Sequence, residues 1–560
     1  MAHRIRCISP AAALVVALCA ASGGCSSRTD VSLSGNAPGQ FSHVWLTAQE
    51  VRFNTSATAG PDDTGWAKFP LASPVTLDLV SESSGALGQI ATALRVTPGS
   101  YSQVRLIPLD PTAALAASAQ SAGALYNAEA DYVDSAGTAH QVAVELLNPD
   151  KGIGIQTSLT VPLGSLNTST STTGSSSSTT TKTLSIAISV DGARDLAMFT
   201  YGTQTGVLLS AHAAAHDLSQ VGAIQGNVTT SGLTGITGAP NRTNIQVTAE
   251  SLSTDGTRHV IVNSAPVGTD GSFVLYPLAT SSSTPATYDL VIHGPAIATI
   301  VIKSVQVSVG AATSAVSIGT LTPRAASAFT ANVAPAAAAP LPASALVGFY
   351  QTLAASGEVP YVIEARPVDP FNRTFVNAQS LSEATIDSGT YAASGQTITL
   401  TSATPAEGAG TYRVSASAPL FADGALTTTV SAPASSTTSA VLITVPTLTV
   451  APGVSLASLS AAVSQPTPGK YDRGELIVTH DGAVVGTVAL DAALTQTSGG
   501  SVLINGLPAA TGNATDSALY YLTVRAWNSS DPAGTSHRQW YSTPIDLRNG
   551  NAASIQLTID

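Results

Sequence analysis

Asn244-Ile-Gln-Val-Thr-Ala249 alternates polar and apolar side chains. The same beat of two recurs in Phe41-Ser-His-Val-Trp-Leu46, Ser185-Ile-Ala-Ile-Ser-Val190, Gln396-Thr-Ile-Thr-Leu400 and Leu522-Thr-Val-Arg-Ala-Trp527. Successive side chains of an extended chain point to opposite faces, so each segment turns one face to a core and the other to water. That pattern predicts antiparallel sheets. Asp-Gly pairs at Asp191, Asp255, Asp270, Asp423 and Asp481, with Asn-Gly at Asn505 and Asn549, supply the positive φ that tight hairpin turns require. Helical character is confined to two short stretches, Ala113 to Ala124 and Val80 to Leu94. The chain is therefore expected to be all-β, a series of tandem antiparallel β-sandwich modules.

At 560 residues it exceeds what one core holds, and several domains follow. A weak domain-length repeat marks them. Gly271-Ser-Phe-Val-Leu275 leads through a Ser/Pro loop to Tyr288-Asp-Leu-Val-Ile292, Gln396 to Leu400 leads to Tyr412-Arg-Val-Ser-Ala416, and Ser501-Val-Leu-Ile504 leads to Tyr520-Tyr-Leu-Thr-Val524. In each copy a Tyr opens a strand after a small-residue loop. Its ring is expected to close one end of the core while its hydroxyl reaches a loop carbonyl, with a ligand-facing Tyr as the alternative. Asn167 to Lys182 is almost wholly Ser and Thr and is expected to be a disordered loop; Ala334 to Pro342 is an Ala/Pro loop or spacer. The expected divisions are 1–24, 25–29, 30–220 (carrying the 167–182 loop), 221–322, 323–452 and 453–560.

The first division has basic Arg4 and Arg6, then an apolar run from Ala11 to Ala21 that is too short to span a bilayer, then small residues. This is the layout of a secretory signal peptide. Cys25 follows Ser22-Gly23-Gly24, and the arrangement resembles a bacterial lipoprotein lipobox, although Ser22 stands where that motif usually has Leu. The resemblance implies that Cys25 becomes the acylated first residue of the mature chain, with residues 25–29 as a tether. Ordinary cleavage nearby would instead leave a free thiol. Ser26 and Ser27, with no Asp after the Cys, imply by the same resemblance sorting to the outer membrane. Cys7 and Cys19 lie inside the signal, so the mature chain has no internal disulfide and depends on burial for stability. Without residues 1–24 it keeps 20 basic against 34 acidic side chains, a net charge of −14. Such a surface repels nucleic acid and anionic headgroups, which leaves the acyl chains as the expected hold on a membrane.

Further motifs appear in order within the first unit. They are Leu33-Ser-Gly-Asn-Ala-Pro38, Val44-Trp-Leu-Thr-Ala-Gln-Glu-Val51, Gly65-Trp66, Leu77-Asp-Leu79 and Val96-Thr-Pro-Gly-Ser-Tyr-Ser-Gln-Val-Arg-Leu106. Together they resemble the bacterial lipoprotein family known as domain of unknown function 4382, with Asn36 in place of the family's usual Asp. That family implies a β fold and an envelope location but no activity. Gly222-Ala-Ile-Gln-Gly-Asn-Val228, Thr269-Asp-Gly-Ser-Phe273 and Tyr288-Asp-Leu290 resemble the carboxypeptidase-regulatory or transthyretin-like β-sandwich, with Thr287 where a Gly is usual.

Catalytic signals are sparse. The chain has no Gly-x-Ser-x-Gly elbow, His-Glu-x-x-His, Cys-x-x-Cys or phosphate-cradling Gly loop. His212 and His216 are four apart, which on a helix would put both imidazoles on one face, but on a strand places them about 13 Å apart, too far for one metal; solvent-facing histidines at a domain junction are the expectation. Asp62-Asp63 and the Asp131/Asp134 pair lack the ligand spacing of a calcium loop. The remaining candidate is aromatic. Tyr521, Arg525 and Trp527 share one side of a strand and Trp540 follows, so exposed rings there could stack on sugar faces, unless alternate members fill the core. The expectation is a non-catalytic, cofactor-free, monomeric or weakly associating envelope protein for display or binding, a surface or periplasmic binding or structural module whose sharper form binds a carbohydrate, matrix or envelope-protein partner, its later modules held away from the membrane. A hydrolase without a recognisable motif is the alternative.

Overall fold

The computed structural model describes residues 27–560 except 135, 163–182, 202–203, 211–212, 336–340, 356, 375–380, 393–397, 427, 434–439, 446, 481, 498, 511–518, 532–536 and 551. The signal and Cys25, the 167–182 loop, His212, Asp481 and most of the Ala/Pro stretch lie outside the described residues. Ser27, Arg28 and Thr29, expected in a tether, are already strand, because Ser27–Asn36 pairs along its length in the first unit's sheet.

The first unit packs two sheets face to face. A four-stranded sheet runs Ala213–Asp217, Thr183–Asp191, Ser27–Asn36, Gly88–Val96. The larger sheet is organised on the long strand Phe41–Asn54, which pairs with Ala67–Asp78, Gly99–Pro108 and Ala128–Val133. Alternate residues from both sheets, among them Val31, Leu33, Val51, Phe53, Leu106 and Ile186, form the core between them. Ala117–Ala122 is a helix as expected, whereas Gly88–Val96 is a strand rather than the continuation of one. Its Ile90 belongs to the core, and its backbone completes the ladder with Ser27–Asn36.

Antiparallel pairs dominate, but one parallel pair closes every unit. Ser27–Asn36 lies parallel to Thr183–Asp191, Val221–Val228 to Val316–Leu321, Ala331–Pro335 to Val441–Val445, and Val454–Ser464 to Ala552–Thr558. An opening strand and a late strand of the unit thus share one sheet. Alternation is the same for both directions of pairing, which is why the pattern hides this feature.

The three repeat tyrosines behave alike. Tyr288, Tyr412 and Tyr520 each sit in a different core, and their hydroxyls donate to Ala279 O, Ser382 O (2.9 Å) and Pro508 O respectively. Burial raises all three phenols, so each stays neutral and able to donate. Tyr101 does the same in the first unit, 2.8 Å from Thr97 O. Tyr412 also accepts from Ser382 N at 2.9 Å, so Tyr412→Phe strands two buried backbone groups. The expected loss is about 1–3 kcal/mol, read from the shift in a denaturation midpoint.

The units are not separate beads. Ile386–Thr390 and Thr401–Ala403, from the span assigned to the third unit, extend the second unit's sheet through the parallel register Ile300↔Asp387 to Lys303↔Thr390. Val291 and Val301 of the second unit in turn enter the third unit's core. The boundary expected at 322 therefore divides the chain but not the sheet. Units one and two are joined by Asn36, whose amide donates to both Ser264 O and Ser264 Oγ at 2.6 Å, and by Arg242, which donates to Phe41 O at 2.8 Å and to Ala37 O. A carboxylate at position 36 could not donate these bonds, which gives the Asn its physical purpose.

Candidate functional site at the junction of the first and last units

The strand Leu519–Trp527 sends Tyr520, Leu522, Val524 and Ala526 into the fourth unit's core, so Tyr521, Thr523, Arg525 and Trp527 occupy the opposite face. Next to it, His537–Asp546 sets Trp540 against Thr523 and Arg538 against Arg525. This is the face on which the rings would stack on a sugar if they were exposed. Instead it is covered: Tyr521 is 4% and Trp527 7% exposed. The surface strip is corrected to an interface.

What covers it is chiefly the first unit. Tyr521 donates to Asp62 Oδ2 at 2.9 Å, and Lys151, itself 2.9 Å from that carboxylate, stands 5.1 Å above the Tyr521 ring. The buried Glu145 carboxylate receives Arg538 at 2.6 Å and Arg525 at 3.5 Å through one oxygen, and the Arg525 guanidinium also lies 5.1 Å over the Phe199 ring. Asn148 donates to Thr479 at 3.0 Å. Ala197, Phe199 and Leu208 pack with Ile477 and Val484 as a shared apolar patch. The third unit joins through Asp369, which accepts from Thr200 N at 2.7 Å. Burial in this junction holds the Glu475 carboxyl well above the usual range, against the opposing pull of Arg525.

Trp540 is only half-buried. It forms one wall of a cleft of about 250 Å³, facing Gln49, Pro108, Asp110, Asn148 and Asp150 of the first unit. Asn148 is held at φ 50°, in the left-handed region that Asn tolerates better than most residues. Its Oδ1 and the Trp540 Nε1 are both buried without a hydrogen-bond partner among the described residues. An aromatic ring, planar amides and carboxylates around a shallow opening make a surface suited to a polyhydroxylated ring, whose apolar face packs on the indole while its hydroxyls meet polar side chains. The structure thus keeps Trp540 at an accessible site and removes Tyr521 and Trp527 from one. Sequence reasoning missed Glu145, Asn148 and Asp110 because they lie hundreds of residues away in the chain. The outward-facing arginines 525 and 538, in a chain with few charges, were the one available sign of a partner surface.

Other candidates resolve into local structure. His216 lies on Ala213–Asp217, where burial pushes its imidazole down to about 4. Among the described residues no three His, Cys, Asp or Glu side chains converge as a metal set would require. Asp134 binds His140 at 2.9 Å and caps its own turn through the backbone N–H groups of Ala136 and Thr138. No helix among the described residues is long and apolar enough to cross a membrane.

Residues 27–196 match the model of a family described as Domain of unknown function (DUF4382). No curated protein matches the chain. Among solved structures, the Bacillus anthracis TIE protein is similar at 9% identity over 96% of this chain and 73% of its own, with a TM-score of 0.13. A Streptococcal ancillary pilin is similar at 10% identity over 61% of this chain and 99% of its own, with a TM-score of 0.13. The major pilin subunit of Bacillus cereus is similar at 9% identity over 61% and 100%, with a TM-score of 0.12. At these TM-scores the likeness carries no argument about what this chain does.

Proposed function

We propose that this is a non-catalytic cell-envelope protein, acylated at Cys25 and held at the outer membrane, that binds carbohydrate in the cleft between its first and last units. The observation that carries the binding reading is the half-buried Trp540 facing Asn148 and Asp110 across an open cleft. The charged side chains that a hydrolase would need free are instead engaged where units meet, as with Glu145 between Arg525 and Arg538. The later units serve as a rigid body that shapes the cleft.

The test is a glycan and envelope-protein screen on residues 28–560 beside Trp540→Ala. Loss of the indole face is expected to weaken oligosaccharide binding by roughly two- to tenfold, from the ~0.5–1.5 kcal/mol that such stacking adds beyond area burial. Undiminished binding in the variant contradicts the cleft, and an envelope protein captured in place of any glycan contradicts the ligand class. For the anchor, a fatty-acid probe should label the wild type and spare Cys25→Ala; equal labelling contradicts acylation.

A further inference from the structure

We infer that the Ser27 end of the first unit is the foot on which the molecule stands on its membrane, with Arg28 and Arg95 taking lipid headgroup phosphates. This rests on the acylation of Cys25 proposed above. Arg28 and Arg95 are register partners on neighbouring antiparallel strands, and both are exposed. Like charges set directly opposite repel, so the arrangement is unfavourable without an anion between them. Most other described arginines lie beside a carboxylate, yet neither of these has an ion-pair or hydrogen-bond partner among the described residues. The nearest acid along the strand, Asp30, is occupied by the backbone N–H of Ala93 at 2.7 Å.

Position supplies the ligand. Cys25 precedes Ser27 by two residues, so at most about 7 Å of chain separates the acylation site from the first strand residue. The polar layer on each side of a bilayer is itself roughly 5–8 Å thick. A lipid on Cys25 therefore brings the two guanidinium groups to phosphate depth, where Arg is suited to paired hydrogen bonds with oxyanions. The opposite end of the same strand holds the second unit, through Ser34 on Tyr276 O at 3.1 Å and Asn36 on Ser264. The first unit is thus a pedestal that directs the second unit away from the bilayer. A chain with net charge −14 after removal of residues 1–24 is repelled by an anionic surface as a whole, so a local cationic pair at the attachment point orients it rather than recruits it.

The test uses residues 25–560, whose only thiol is Cys25, coupled to a maleimide-bearing lipid in vesicles of phosphatidylglycerol and phosphatidylethanolamine. Hydrogen exchange of residues 88–99 is compared with that of the same protein capped by a soluble maleimide. The expected result is exchange slowed roughly thirtyfold on vesicles, from about 1 kcal/mol for each of the two basic side chains at an anionic surface, and restored to the solution rate by high salt and by the double variant Arg28→Gln/Arg95→Gln. Both positions are exposed, and an unchanged melting temperature verifies that the double variant folds. Equal exchange with and without vesicles, or protection that survives in the variant, overturns the foot. The fatty-acid labelling experiment stands apart: its failure would refute acylation in the cell while leaving the arginine result readable.

Discussion

Replacing Glu145 with Ala is expected to release the fourth unit from the first. Glu145 is 1% exposed, and one of its two carboxylate oxygens, Oε2, is shared by Arg525 and Arg538, whose side chains are 13% and 18% exposed. Its removal leaves two largely buried guanidinium groups without their counter-charge. Breaking one partner out of such a cluster costs about 3–5 kcal/mol, more than an exposed pair contributes. Calorimetry of Glu145→Ala should resolve an early transition for residues 453–560 ahead of the main one. Replacing all three with apolar residues of similar volume should recover much of the loss, because desolvation of the ions is removed together with their attraction. A single unshifted transition in Glu145→Ala would mean that the shared apolar patch holds the units without the charges.

His293 should give the chain an acid-sensitive joint between the second and third units. It is 5% exposed on the face of the second unit's sheet that the third unit covers, and burial lowers its imidazole to about 4, with Glu364 opposing and Arg366 assisting. The unfolded chain binds this proton near pH 6.5 and the folded chain does not, so the contribution to stability is complete above about pH 6.5 and is lost as pH falls toward 4. The shift corresponds to about 3 kcal/mol. Glu250, wholly buried on the same face, acts in the other direction: its carboxyl is held well above the ordinary range by desolvation, and it favours the folded state as acid is added. The difference between wild type and His293→Gln isolates the histidine. His293→Gln is expected to gain on wild type by about 2–3 kcal/mol between pH 7 and 4. A difference that stays constant over that range contradicts a neutral, buried His293.

Much of the fold was legible because alternation reports directly that one face of a strand is buried. It does not report what buries the other. Leu519–Trp527 shows the limit: its even members fill the fourth unit's core as the pattern implies, while Tyr521, on the opposite face, is buried against Asp62 and Lys151 of another unit hundreds of residues away. Turn signals were similarly local. Asp255-Gly256 and Asp270-Gly271 mark real strand connections with Gly at positive φ, but Asn505-Gly506 is a bulge inside Gly500–Ala510, and Asp191 caps a short helical turn through Ala193 N. Gly at positive φ suits a bulge as well as a hairpin, and Asp accepts backbone N–H groups in either setting. The tyrosine repeat was the most informative long-range signal, because a phenol that must both pack and donate has few places to stand. The cleft at Trp540 left almost no trace, since half of its wall belongs to the first unit.

Small-angle scattering of residues 28–560 tests most directly whether the four units form one clasped body. Dense packing of a chain of this length predicts a radius of gyration of about 23–26 Å. Four modules of ordinary size strung end to end would give about 40 Å or more. A value in the first range, rising toward the second in Glu145→Ala, is the predicted result. A wild-type value already in the second range would contradict it.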